Sequence, residues 1–129
     1  MSESDRIQYL RFALVVVGLI FLVGIYPLTI FWPSGWSWSP GQSDYLQMII
    51  GVYATLGVFL LIASKNPLAY RGLIWFTVWS SVVHAGIMAA QALTQPEHMG
   101  HMMGDVPALL VVALLLGLLM PRAHAPQRA

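Results

Sequence analysis

The chain has 129 residues, 58% of them hydrophobic and 9% charged, with a net charge of +1 and no cysteine. A soluble domain carries about 25% charged residues, and one this small has too little interior to hide so much apolar surface. The composition therefore points to lipid as the solvent, excludes disulfides and thiolate metal sites, and argues against a nucleic-acid partner.

Residues 1–11 are polar and of mixed charge. They read as a tail leading into an interfacial helix. The first span is predicted over 12–31, close to the ~20 residues that cross a hydrocarbon core. Its apolar run continues past Tyr26 and Pro27 to Phe31. That is too long for a secretory signal core, so it reads as a retained transmembrane helix. Gly18 and Gly24 would allow close helix approach, and Pro27 should kink or loosen the last turn. Trp32, Pro33, Gly35, Trp36, Trp38, Pro40 and Gly41 then mark a turn-rich loop. Its three tryptophans fit an interfacial aromatic belt; the alternative is an aromatic lid over a pocket.

The second span is predicted over 45–63, with Ser43 or Asp44 as N-cap. Gln47, Gly51 and Thr55 share one face, and Gly51 with Thr55 forms a small-xxx-small packing pattern. Ser64 to Pro67 stops that helix. The third span covers 72–93. Its Thr77, Ser81, His84, Met88 and Gln91 step by 4, 3, 4 and 3 and form one stripe. In lipid such a stripe must face the bundle interior, because unsatisfied polar groups are costly there. His84 is then either packing glue bonded to a neighbour or a functional group. The fourth span, 106–120, has Asp105 as candidate N-cap and gives only ~22 Å of helix. It must thin the bilayer or recruit residues after Met120. A polar tail, 121–129, follows.

The basic residues Arg6, Arg11, Lys65, Arg71, Arg122 and Arg128 fall in the two tails and the middle link. The other two loops hold no Lys or Arg, with Asp44, Glu97 and Asp105 instead. By the positive-inside rule both termini face the cytoplasm, and the tryptophan and histidine-methionine loops face outward.

The connector between the third and fourth spans holds His98, His101, Met99, Met102 and Met103, flanked by Glu97 and Asp105. Imidazole and thioether suit Cu or Zn, so His98, His101 and Asp105 are the candidate metal ligands. Two histidines without a fixed third ligand are weak support, and a solvated polar loop is the favoured reading. Haem would want a second deep ligand facing His84. No phosphate-binding loop, serine-hydrolase elbow or zinc-protease motif occurs.

The stretches GVYATLGVFL (51–60), KNP (65–67), WSSVVHAGIMA (79–89), HMGH (98–101) and GDVPAL (104–109) resemble an uncharacterised family of small bacterial four-span membrane proteins, a domain of unknown function. The resemblance implies membrane location and a four-helix fold, and no activity.

The expectation is one all-α domain: four transmembrane helices in an antiparallel, left-handed bundle in a bacterial inner membrane. A polar seam lined by His84, Gln91, Tyr26, Gln47 and Tyr53 would open outward. An accessory or small-ligand-binding role leads, without a complete catalytic set. A Cu- or Zn-binding redox protein is the first rival, and an enzyme acting on a lipid-soluble substrate through His84 the second. The bilayer is the expected partner, together with a second copy or a membrane complex.

Overall fold

The computed structural model describes residues 1–38 and 43–122. The turn expected at 39–41 and the tail from 123 onward lie outside them. Five helices fill the described residues: α1 (Glu3–Phe31), α2 (Pro33–Trp36), α3 (Asp44–Ala63), α4 (Arg71–Thr94) and α5 (Asp105–Leu119). Four of them, with their flanking turns, are long and apolar enough to cross a membrane. They alternate in direction as an antiparallel bundle.

α1 begins inside the stretch that composition marks as a tail. The Ser2 hydroxyl accepts from the Asp5 backbone N–H, and the Asp5 carboxylate accepts from the Ser2 N–H, each at 3.1 Å. This reciprocal capping box satisfies two donors that a helix start otherwise leaves open. Farther along, α1 widens into a π turn at Ile20–Gly24. Pro27 lies just beyond and has no N–H to offer the preceding turn, so the irregularity falls before the proline. At α3 the N-cap is Ser43, whose hydroxyl accepts from the Leu46 N–H at 3.1 Å.

Upstream of the fourth span a 3₁₀ turn at Pro96–Met103 runs into α5, and the two together make a helical stretch of 24 residues, Pro96–Leu119. α5 itself ends at Leu119, where Met120 turns extended.

The bundle is two helix pairs. α1 packs on α3, α4 packs on α5, and α1 also touches α5; α3 and α4 barely meet. Lipid tails are as apolar as leucine, so close packing holds such helices together, and small residues permit it. At the α1–α3 crossing Gly18 meets Gly57. A Cβ on Gly57 would lie 2.7 Å from the Leu22 backbone nitrogen. Gly51, by contrast, has open space beside it, and the Thr55 hydroxyl donates back to the Gly51 carbonyl at 2.9 Å. The expected packing pattern thus faces outward, and Gly57 makes the close approach.

Leu10, Leu14, Leu60, Ile74 and Leu116 are fully buried where the helices meet. The stripe of α4 turns inward over most of its length: Thr77, Ser81 and Met88 are buried and His84 half-buried, whereas Gln91 at the far end is exposed, as are Phe76, Trp79, Val83 and Ile87 on the other face. Thr77 satisfies its hydroxyl on the Leu73 carbonyl at 2.9 Å. At the end carrying the basic residues, Arg71 donates from Nη2 to the Pro121 carbonyl at 2.9 Å and ties α4 to the end of α5.

Candidate functional site

The opposite end is closed by two connectors packed backbone to backbone. α2 lies against the Pro96–Met103 turn. A Cβ on Gly100 would collide with the Ser34 carbonyl, and one on Gly104 with Gly35. Two missing side chains thus let the loops touch, and the contact carries Trp38 onto the histidine turn. The Trp38 and His101 rings stack at 3.8 Å with 19° between their planes. His98 lies against the same indole at 4.8 Å, tilted by 43°.

Asp105, the first residue of α5, follows His101 by four positions. His101 Nδ1 lies 3.0 Å from each carboxylate oxygen of Asp105, and the Trp38 indole N–H donates to Oδ2 at 3.0 Å. His101 Nε2 lies 3.1 Å from the Ser37 carbonyl. Both ring nitrogens therefore face oxygens. The Nε2 contact calls for an N–H donor to the Ser37 carbonyl and the Nδ1 contact for a proton shared with the carboxylate, an arrangement that would leave the pair without net charge. That suits a site where His101 is 1% and Asp105 6% exposed, because an isolated buried charge is costly.

Deeper in the bundle a second pair forms between α3 and α4. The Tyr53 hydroxyl and His84 Nδ1 are hydrogen-bonded at 2.5 Å. The rings overlap at 5.7 Å, and Phe21 of α1 meets Tyr53 edge-on at 5.0 Å. His84 Nε2 has no hydrogen-bond partner among the described residues.

Between the two pairs lies a cavity of about 90 Å³. Phe21 and Ile25 of α1, Ile49 and Tyr53 of α3, His84 and Met88 of α4, and Asp105 and Leu109 of α5 contribute walls, with Trp36 and Trp38 from the connector. A shallower recess continues from it between α3 and α4 past Ser43, Tyr45 and Gln91. Both fall where the two helices fail to meet. Trp36 also carries a buried indole N–H without a partner among the described residues.

The residues expected at the seam separate into two groups. His84 and Tyr53 stand on the cavity wall, and Gln91 on the adjoining recess. Tyr26 is 49% exposed on α1 and Gln47 is exposed on α3, and neither lines the cavity. His101 and Asp105 are brought into contact, with His98 5.9 Å from His101 between ring centres. Yet the Ser37 carbonyl and Asp105 leave no free ring nitrogen on His101. Among the described residues no three His, Asp or Glu side chains converge as metal ligands would. Within the histidine loop His101 is thus buried against the bundle, while Glu97, Met99 and Met103 stay exposed. Trp36 and Trp38 belong to a lid, and of the three tryptophans Trp32 is the one that stays exposed. The signal for that lid was the glycines at 35, 100 and 104, one set in each facing loop.

Fold and site together define a multi-pass membrane protein, a four-helix bundle with an apolar-walled cavity capped by a polar cluster at one end. The chain belongs to DUF6632, a family of unknown function, which it matches over residues 5–129. No curated protein and no solved structure matches it.

Proposed function

We propose that the protein is a non-enzymatic receptor for a small lipid-soluble molecule in a bacterial inner membrane, with both termini in the cytoplasm. The observation that carries this reading is the gap between α3 and α4. Ile49 is a wall residue of the cavity and is also 46% exposed on the outer surface of the bundle. A cavity that opens sideways between two spans faces lipid, so its natural occupant arrives dissolved in the bilayer. Mostly apolar walls with a few convergent polar groups are the usual make-up of a small-molecule site. The orientation rests on Arg6, Arg11, Lys65, Arg71 and Arg122 belonging to the tails and middle link, with Asp44, Glu97 and Asp105 at the other end.

The test is extraction. Protein purified in mild detergent is extracted with organic solvent and the extract analysed by mass spectrometry. An apolar molecule near one per chain is expected from the wild type. It should be lost from Ile49→Trp, which fills the mouth, and retained in Val83→Trp on the outer face. Equal recovery from both variants, or an empty wild type that also takes up no added lipid, overturns the reading.

A further inference from the structure

The walls of the cavity say more about its occupant than that it is apolar. Resting on the receptor reading above, we infer that the ligand is a lipid with a flat, oxygen-bearing ring as its head, the chemistry of quinones and quinols, and that His84 Nε2 holds a head oxygen. Three observations carry this.

The first is the tautomer logic of the Tyr53–His84 pair. With the Tyr53 hydroxyl donating to Nδ1, the imidazole proton sits on Nε2 and offers a donor to a carbonyl. With Nδ1 donating to the Tyr53 oxygen, Nε2 becomes an acceptor for a hydroxyl, and the tyrosine proton is released to donate elsewhere. One hydrogen-bonded pair thus recognises the same ligand position as C=O or as C–OH. A histidine without such a partner would have nothing to pair the exchange with.

The second is aromatic. Phe21, Trp36, Trp38 and Tyr53 all present rings to this one cavity. Ring faces and edges favour a flat partner in stacked or edge-on geometry by more than area burial alone. An acyl chain has no use for that arrangement.

The third is charge. Among the described residues no lysine or arginine lines the cavity or the adjoining recess, and the one carboxylate there, Asp105, is already hydrogen-bonded by His101 and Trp38. A fatty acid or phospholipid headgroup would enter without a cation to meet it, which is costly in an apolar site. A neutral carbonyl or hydroxyl needs only the hydrogen bond that His84 offers. The tail would leave past Ile49, through the α3–α4 gap, into lipid.

The experiment uses the full chain in nanodiscs of neutral phospholipid and follows tryptophan fluorescence, with Trp36 and Trp38 as reporters on the wall. A decyl-tailed benzoquinone and its quinol are titrated against decanoic acid and decanol as tail-matched controls. Saturable binding of quinone and quinol with similar Kd is expected, with the acid and alcohol at least about tenfold weaker. His84→Leu should weaken both ring ligands by about five- to tenfold, the worth of one hydrogen bond. His84→Gln, which keeps a donor and an acceptor, should recover most of that. Tyr53→Phe should separate quinone from quinol. If decanol binds as tightly as the quinone and His84→Leu changes nothing, the ring assignment falls while the receptor reading stands. If none of the four probes binds saturably, both fall.

Discussion

The α1–α3 crossing offers the sharpest test of the packing. Gly57→Ala places a methyl group 2.7 Å from the Leu22 backbone nitrogen and 3.2 Å from its Cα. Ordinary carbon contacts lie at about 3.5–4.0 Å. The obstacle is backbone on the opposite helix, so no side chain can swing aside, and α1 and α3 must part by roughly the ~1 Å shortfall. Overpacking of this kind costs about 1–3 kcal/mol. Alanine recovers up to about 1 kcal/mol of helix propensity over glycine. Gly51→Ala, six residues earlier on the same helix, has the same propensity gain and meets nothing within 4 Å. The propensity term cancels between the two variants, which leaves Gly57→Ala less stable than Gly51→Ala by about 1–3 kcal/mol. Unfolding by increasing SDS in mixed micelles, followed by circular dichroism, measures the difference. Equal midpoints for the two variants would refute the close crossing.

The polar cap gives a second comparison. His101→Leu strands the Asp105 carboxylate and should destabilise the protein by about 3–5 kcal/mol, while the His101→Leu, Asp105→Leu double variant should be less damaged than that single change; a double variant at the sum of its singles would refute the coupling. Trp36→Phe removes a buried, partnerless N–H and keeps most of the ring, so it should be neutral or stabilising by about 1 kcal/mol in the same titration. For orientation, a cysteine replacing Met103, which is 77% exposed, should react with an impermeant maleimide on intact cells. One replacing Lys65 should react only after lysis, and the reverse pattern would refute the assignment of sides.

The spans were legible because lipid imposes two strong constraints, length and the inward turn of polar groups. Thr77, Ser81 and Met88 obey the second, and their helical step reads straight from the chain. His84 and Tyr53 were found by the same logic. Tyr26 and Gln47 show its limit: near a span end a polar side chain reaches the headgroups, so polarity there no longer demands an interior position. The lid was illegible for a different reason. Trp38 meets His101 across 63 positions of chain, through a contact between two loops, and no periodicity carries that information. The absent side chains of Gly100 and Gly104 recorded it only as vacancies. Capping by Ser2 and Asp5 was written in the chain as a serine followed three residues later by an acid, under a charge pattern that reads as tail.

The widened turn in α1 has a consequence for how its wall is aimed. Inward positions run Leu10, Leu14, Val17, Phe21, then Ile25 and Thr29. In a regular helix each step of four overshoots by about 40°, so the last two steps would carry Thr29 about 80° around the rod. The extra residue held at Ile20–Gly24 absorbs that drift and keeps both halves pointed at the same neighbours. Removing that extra residue would close the turn into regular α-helix with Ile25 three and Thr29 seven positions after Phe21, so both would stay on the inward face. The bulge lets α1 carry one residue more than a regular helix needs between Phe21 and Ile25 without turning its wall from the bundle.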